Sequence, residues 1–196
     1  MFFMLDLIES FEYLKNLPIQ DYLAINLESD LKKVSDKFGF PIFLKISSFE
    51  HKLKIGGVKK LENSEELLQD YRLMKKNFPN KRIIAQKAMG GKEIIVGIKE
   101  DRVFGKLLMV GAGGIDVEKA KDVSFRAFPI ANEEISKMVG NLKIAKNLSE
   151  NEKNKILDFI QKLLKLNIER IKELDINPLM INDNEAKIVD ARIELA

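Results

Sequence analysis

Two strand-like runs, IKELDINPLMI and AKIVDARIEL, are separated only by Asn182–Glu185. A spacer this short joins antiparallel strands, because a parallel crossover needs a dozen residues or more. The register follows from the spacer. A tip at Asp183-Asn184 and a loop of Asn182–Glu185 both set Asn177 opposite Asp190, with Cβ atoms ~4.5–5.5 Å apart on one face. A loop one residue shorter or longer would slip the register and scatter that pair. Period two also places Glu173, Asp175 and Asn177 on one face, with Leu174 and Ile176 on the other. Two readings fit this cluster. Carboxylates beside a carboxamide suit Mg²⁺ when nucleotide phosphates supply the remaining ligands. The same residues also suit solvated strand positions around one Asn-Pro turn.

Upstream, RIIAQKA, KEIIVGIK and VFGKLLMV read as successive strands separated by MGG and ED, an expected antiparallel meander. Gly111–Gly114 is expected to interrupt it before a further strand in VSFRAFPI. Tyr22–Ile25 and Pro41–Ile46 are shorter strands. Helices are expected over Glu28–Phe38, stopped by Gly39, and from Asn63 to about Phe78, stopped by Pro79. A short helix opens at Asn132, and a longer one is capped by Ser149 with Glu152. In the longer one Ile156, Phe159, Ile160, Leu163 and Leu164 form a core-facing stripe. MFFMLDLIESFEYLKNL reads as one amphipathic helix, not a signal peptide, since it lacks a basic start and carries Asp6, Glu9 and Glu12. Irregular alternation with a central meander points to an α+β fold and not to a doubly wound parallel sheet.

The chain has 196 residues, long enough for one large domain or two small lobes that share a cleft, and 45% of them are apolar, enough to bury a core of ordinary size. Basic and acidic residues are interspersed and the net charge is only +3, so no nucleic-acid partner is expected. No run approaches the ~18 apolar residues of a membrane span. The expected location is the cytoplasm, with no membrane partner. Absence of cysteine excludes disulfides, thiolate metal sites and thiol nucleophiles.

His51 is the only histidine, within KISSFEHKLKIGGV, a polar and glycine-flanked stretch. An imidazole titrating near pH 6.5 is a competent phosphoryl acceptor at neutral pH, although a lone histidine is more often a surface or core residue. Lys45 ends an apolar strand just before it, where a lysine either snorkels outward or holds a phosphate as a point charge. Gly56-Gly57 and Gly111-Ala112-Gly113-Gly114 offer backbone amides to anions or serve as plain turns, and neither matches a P-loop or dinucleotide fingerprint. Arg126 reads equally as an anion ligand or a surface charge.

These segments, taken in order from Phe40 to Ile193, resemble one family. KISSFEHKLKIGGV, QKAMGGKEIIVG, FGKLLMVGAGGIDVE, KDVSFRAFP, ELDINPL and VDARI are similar to the ATP-grasp, or β, subunit of ADP-forming acyl-CoA synthetases, the acetate–CoA ligase group. The resemblance implies an ATP-grasp fold in which two α+β lobes clamp a nucleotide. It implies a single ATP-grasp domain over 1–196, with a first lobe at about 1–80 and a second at about 81–196. It implies transfer of a phosphoryl group through phosphohistidine between a partner subunit and ADP or ATP. By the same resemblance His51 is the carrier and Lys45 the phosphate-binding lysine. Gly56 and Gly57, then Gln86, Lys87 and Ala88 on the strand past the base, with Glu93 and Arg126, are nucleotide contacts. Asn177 and Asp190 hold Mg²⁺, with Asp175 as a third contributor. A CoA-binding α subunit in an α2β2 assembly is the implied partner.

The chain departs from the family where Ser48-Phe49-Glu50 replaces Ser-Pro-Asp before the histidine. Leu17-Pro18-Ile19 also stands where Gly-Ile-Pro is usual. A succinyl-CoA-synthetase-like β subunit shares the last hairpin but manages without the histidine. A non-catalytic regulatory nucleotide-binding subunit is the remaining alternative, against which the intact Lys45, Asn177 and Asp190 argue.

Overall fold

The computed structural model describes residues 3–50, 52, 55–114 and 122–196. His51, on which the carrier role falls, lies outside the described residues. The chain divides into two compact units, one formed by Asp6–Ile8 and Gln20–Met89, the other by Met1–Leu5, Glu9–Ile19 and Gly90–Ala196.

In the unit built on Gln20–Met89, β2 (Tyr22–Ile25), β3 (Ile42–Ile46), β4 (Val58–Leu61) and β5 (Ile83–Lys87) form an antiparallel sheet ordered β2-β5-β3-β4. Two helices, α2 (Asp30–Phe38) and α3 (Ser64–Asn77), accompany it. Alternation decides which face they cover. Ile42, Leu44, Ile46, Ile83 and Ala85 join Leu31, Val34, Leu67, Tyr71 and Met74 in one buried cluster. The helix boundaries obey the expected chemistry. Gly39 follows α2 at φ 62°, a left-handed conformation that favours glycine, and the Asn63 side chain accepts the Glu66 N–H to start α3.

The other unit carries β1 (Phe3–Leu5), β6 (Lys92–Asp101), β7 (Gly105–Ala112), β8 (Val123–Ala127), β9 (Ile171–Ile181), β10 (Ala186–Ile188) and β11 (Ala191–Leu195). They pair antiparallel in the order β1-β11-β9-β6-β7-β8, with β10 also on β9. Helix α1 (Leu7–Tyr13) follows β1, while α4 (Asn132–Gly140) and α5 (Glu150–Leu163) pack on the sheet and on each other. The α5 stripe Ile156, Phe159, Ile160 and Leu163 is at most 1% exposed, which identifies it as the core face. Ser149 and Glu152 close the expected capping box at its start. Among the described residues no helix is long and apolar enough to cross a membrane.

Four expectations are corrected. The N-terminal segment is not one helix: Phe3–Leu5 is a strand paired with the distant β11, because its backbone groups find a ladder there. RIIAQKA is not part of the meander. As β5 it lies between β2 and β3 in the smaller sheet, and the meander consists of β6, β7 and β8. Gly111 does not interrupt its strand, since β7 continues to Ala112 and Gly111 pairs with Val123. The run AKIVDARIEL is two strands, β10 and β11, separated at Val189-Asp190 opposite Asn177-Pro178.

Candidate functional site

The last hairpin keeps the register expected of its loop. Ile188 faces Leu179, Ala191 faces Ile176 and Arg192 faces Asp175. Between these pairs the Asn177 N–H donates to the Asp190 carbonyl at 3.2 Å, and the Val189 N–H donates to the Pro178 carbonyl at 3.3 Å. Pro178 has no N–H for the ladder on a strand flanked on both sides, a position proline occupies only with a bulge. The bulge is present: the β6–β9 register shifts between Ile94 and Val96, opposite the Asn-Pro step. The irregularity therefore coincides with the candidate metal residues, where a bulge re-aims side chains.

Asp175 is engaged by Arg192, which donates to its Oδ2 across the strands. Its Oδ1 is buried and has no hydrogen-bond partner among the described residues. Arg192 was not among the residues singled out from sequence, although the same register places it opposite Asp175. Among the described residues no group of three Asp, Glu or His side chains gathers. The donors at hand are the Asn177 carboxamide, the Asp190 carboxylate and the unsatisfied Asp175 oxygen. That sparse all-oxygen set fits Mg²⁺, which is held by one or two carboxylates while phosphates and water complete its octahedron.

In the other unit, Lys45 is 5% exposed and its ammonium donates to the Gln86 side-chain oxygen at 2.6 Å. The Phe43 ring lies 5.6 Å from the same nitrogen. Gln86 in turn donates to the Gln20 carbonyl, and the Gln20 side chain donates to the Lys87 carbonyl at 3.0 Å. Gln20 was missed in the sequence; it stands outside any strand and no motif marks it. The strand end is tied down further, with the Lys87 N–H on the Asp21 carbonyl and the Ala88 N–H on the Pro41 carbonyl. Gly56 adopts φ 72°, and a Cβ on Gly57 would come within 2.7 Å of Ile46. The two glycines thus let the turn into β4 lie against β3.

Glu93, the second residue of β6, lies beside the glycines that follow β7. The Gly113 N–H donates to the Glu93 carbonyl at 2.7 Å, and a Cβ on Gly114 would lie 2.3 Å from the Glu93 carboxylate. Arg126, on β8, donates to Glu134 at 3.0 Å and to its neighbour's carbonyl at 2.8 Å. Lys137 and then Arg126 hold the exposed Glu134 carboxyl below its ordinary value.

The ATP-grasp domain family matches residues 5–195. The β subunit of acetate–CoA ligase [ADP-forming] I from Pyrococcus furiosus is 35% identical, the match covering 95% of this chain and 90% of that one. A 4-hydroxybutyrate–CoA ligase [ADP-forming] from Nitrosopumilus maritimus is also 35% identical, over 91% of this chain but only 29% of its own length. A solved structure of the acetyl-coenzyme A synthetase 1 of Ca. Korarchaeum cryptofilum aligns with a TM-score of 0.77 at 31% identity, covering 97% of this chain and 92% of that one. That protein was solved with coenzyme A and Mg-AMPPCP, its phosphohistidine segment pointing towards the nucleotide binding site.

Proposed function

Because this chain belongs to the ATP-grasp domain family, we propose that it is the nucleotide-binding β subunit of an ADP-forming acyl-CoA synthetase. The observation that carries this reading is the match to the Pyrococcus furiosus β subunit, nearly end to end in both chains. Its partner is a CoA-binding α subunit in an α2β2 assembly, working in the cytoplasm. We read the domain as a single ATP-grasp unit whose two lobes follow the two compact units, Asp6–Ile8 with Gln20–Met89 and Met1–Leu5 with Glu9–Ile19 and Gly90–Ala196, in place of a division at about 80.

In this reading His51 takes a phosphoryl group from a phosphohistidine of the partner, whose P–N bond breaks as one forms on an imidazole nitrogen of His51. The bond then breaks as a terminal oxygen of ADP attacks phosphorus, which restores the imidazole and yields ATP. Lys45 offsets charge on the phosphates, and Asn177 and Asp190 hold Mg²⁺, with Asp175 in reserve through its unpaired oxygen. The cation supplies further neutralisation of the group in transfer, the main source of catalysis in such reactions. Gly56, Gly57, Gln86, Lys87, Ala88, Glu93 and Arg126 belong to the nucleotide's surroundings.

The test is His51→Asn in a complex reconstituted with the α partner. Acid-labile, base-stable phosphorylation of this chain and ATP formation should both vanish, while Mg·ADP affinity and melting temperature stay near wild type. ATP formation at the wild-type rate would end the carrier role and favour a subunit of the succinyl-CoA synthetase kind.

A further inference from the structure

We propose that Gln86 is a positioning residue that holds the Lys45 ammonium in place for nucleotide phosphates, with Gln20 anchoring it. The inference rests on the reading of Lys45 as a phosphate contact. It starts from the sheet. Lys45 pairs with Ile84 and Phe43 pairs with Gln86, so Gln86 is the diagonal neighbour of Lys45, within reach of two long side chains. Alternation sends both side chains to the face opposite Ile42, Leu44, Ile46, Ile83 and Ala85, away from the helices. The three polar side chains are nonetheless buried, with exposures of 5% for Lys45, 1% for Gln86 and 4% for Gln20.

The orientation of the Gln86 amide is determined by its two partners. Its nitrogen donates to the Gln20 carbonyl at 3.3 Å, which leaves its oxygen to the ammonium at 2.6 Å. The reversed amide would oppose donor to donor and acceptor to acceptor. Gln20 is fixed in turn by donating to the Lys87 carbonyl, the residue after Gln86 on the same strand. The loop before β2 and the strands β3 and β5 are thereby locked around one ammonium.

Two consequences follow for a lysine that must meet an anion. A four-carbon stem has rotamer freedom that binding would otherwise have to remove, and one fixed acceptor removes it beforehand. The acceptor is also neutral. An amide oxygen accepts an ammonium proton without bringing a negative charge of its own, whereas a carboxylate at position 86 would compete with phosphate for Lys45.

The experiment measures Mg·ADP and adenosine binding by calorimetry on the full chain and on Lys45→Met, Gln86→Met and Gln86→Glu. Lys45→Met should weaken ADP and spare adenosine, which has no phosphate. Gln86→Met should weaken ADP by about tenfold, the scale of one charged hydrogen bond, again sparing adenosine. Gln86→Glu is nearly isosteric and gains an ion pair with Lys45 that offsets the oxygen it sets against the Gln20 carbonyl, so it should fold and weaken ADP at least as much; it decides the matter if Gln86→Met does not fold. Wild-type ADP affinity in both Gln86 variants beside a weakened Lys45→Met overturns the positioning role alone. Equal loss of ADP and adenosine also overturns it, since that marks a structural role. Wild-type ADP affinity in Lys45→Met overturns the reading of Lys45 on which the proposal stands.

Discussion

Asn177 and Asp190 are directly opposed across the last hairpin, the N–H of one donating to the carbonyl of the other at 3.2 Å. Opposed residues in an antiparallel pair share a face, which is the arrangement the proposed Mg²⁺ pair requires. Their neighbours share that arrangement. Asp175 and Arg192, two residues along in each direction, form the adjacent cross-strand pair.

Asp190→Asn tests whether that pair binds a metal. Shape is kept and a formal charge is removed, so the fold should survive. Mg·ADP affinity should fall at least ~10-fold, the loss that even an outer partner of a metal site causes. Calorimetry at saturating and limiting Mg²⁺ separates a lost metal ligand from a lost nucleotide contact. Unchanged affinity would mark the pair as structural.

Arg192→Met removes the partner of a carboxylate whose other oxygen is already unsatisfied. Asp175 is half-buried, so solvent screens part of the loss, and the destabilisation should be on the order of 1–3 kcal/mol. Addition of Mg²⁺ should restore part of the lost melting temperature if Asp175 then serves the cation. No recovery with Mg²⁺ would confine Asp175 to its ion pair.

Ser149→Ala should lower stability by ~1 kcal/mol, a shift of about 2–4 °C in Tm for a chain of this size. Ser149 accepts the Glu152 N–H at 3.1 Å and its hydroxyl also meets Asp183 at the hairpin tip. The same variant should therefore speed amide exchange at both the start of α5 and the tip.

Gly113→Ala and Gly140→Ala should behave oppositely. A Cβ at Gly113 would stand 2.8–2.9 Å from the backbone of Glu93 and Ile94, forcing two strands apart, whereas one at Gly140 meets nothing within 4 Å. The first should destabilise by more than ~1 kcal/mol and the second should be neutral or stabilise by about 0.4–1 kcal/mol. Urea melts of the two variants give both signs in one comparison.

Glu134 should titrate below an ordinary glutamate, because Lys137 first and Arg126 second favour its charged form. A depressed folded-state value stabilises the fold above the unfolded carboxyl's value, and that contribution is lost as pH falls through the folded one. Arg126→Ala should raise the Glu134 titration only partway, since Lys137 remains. NMR titration of the glutamate carboxyl reads the change directly.

Much of the chain was legible locally. The caps at Asn63 and Ser149, the stop at Gly39 and the stripe of α5 each depend on contacts within a few residues, and all appear as expected except Leu164, which caps α5 and is only half-buried. The last hairpin was legible for the same reason, since a short loop leaves one register and that register alone pairs Asn177 with Asp190. What failed was every choice between distant partners. Phe3–Leu5 became a strand only because β11, almost the whole chain away, offered it a ladder. RIIAQKA has the same pattern in either sheet, and its place between β2 and β3 was decided by which strands cover its faces. The site divides in the same way. Residue types and spacing marked Lys45, Asn177 and Asp190 in the sequence. Only the tertiary structure brought Gln20 to Gln86, because 66 residues separate a donor from an acceptor that no local pattern connects.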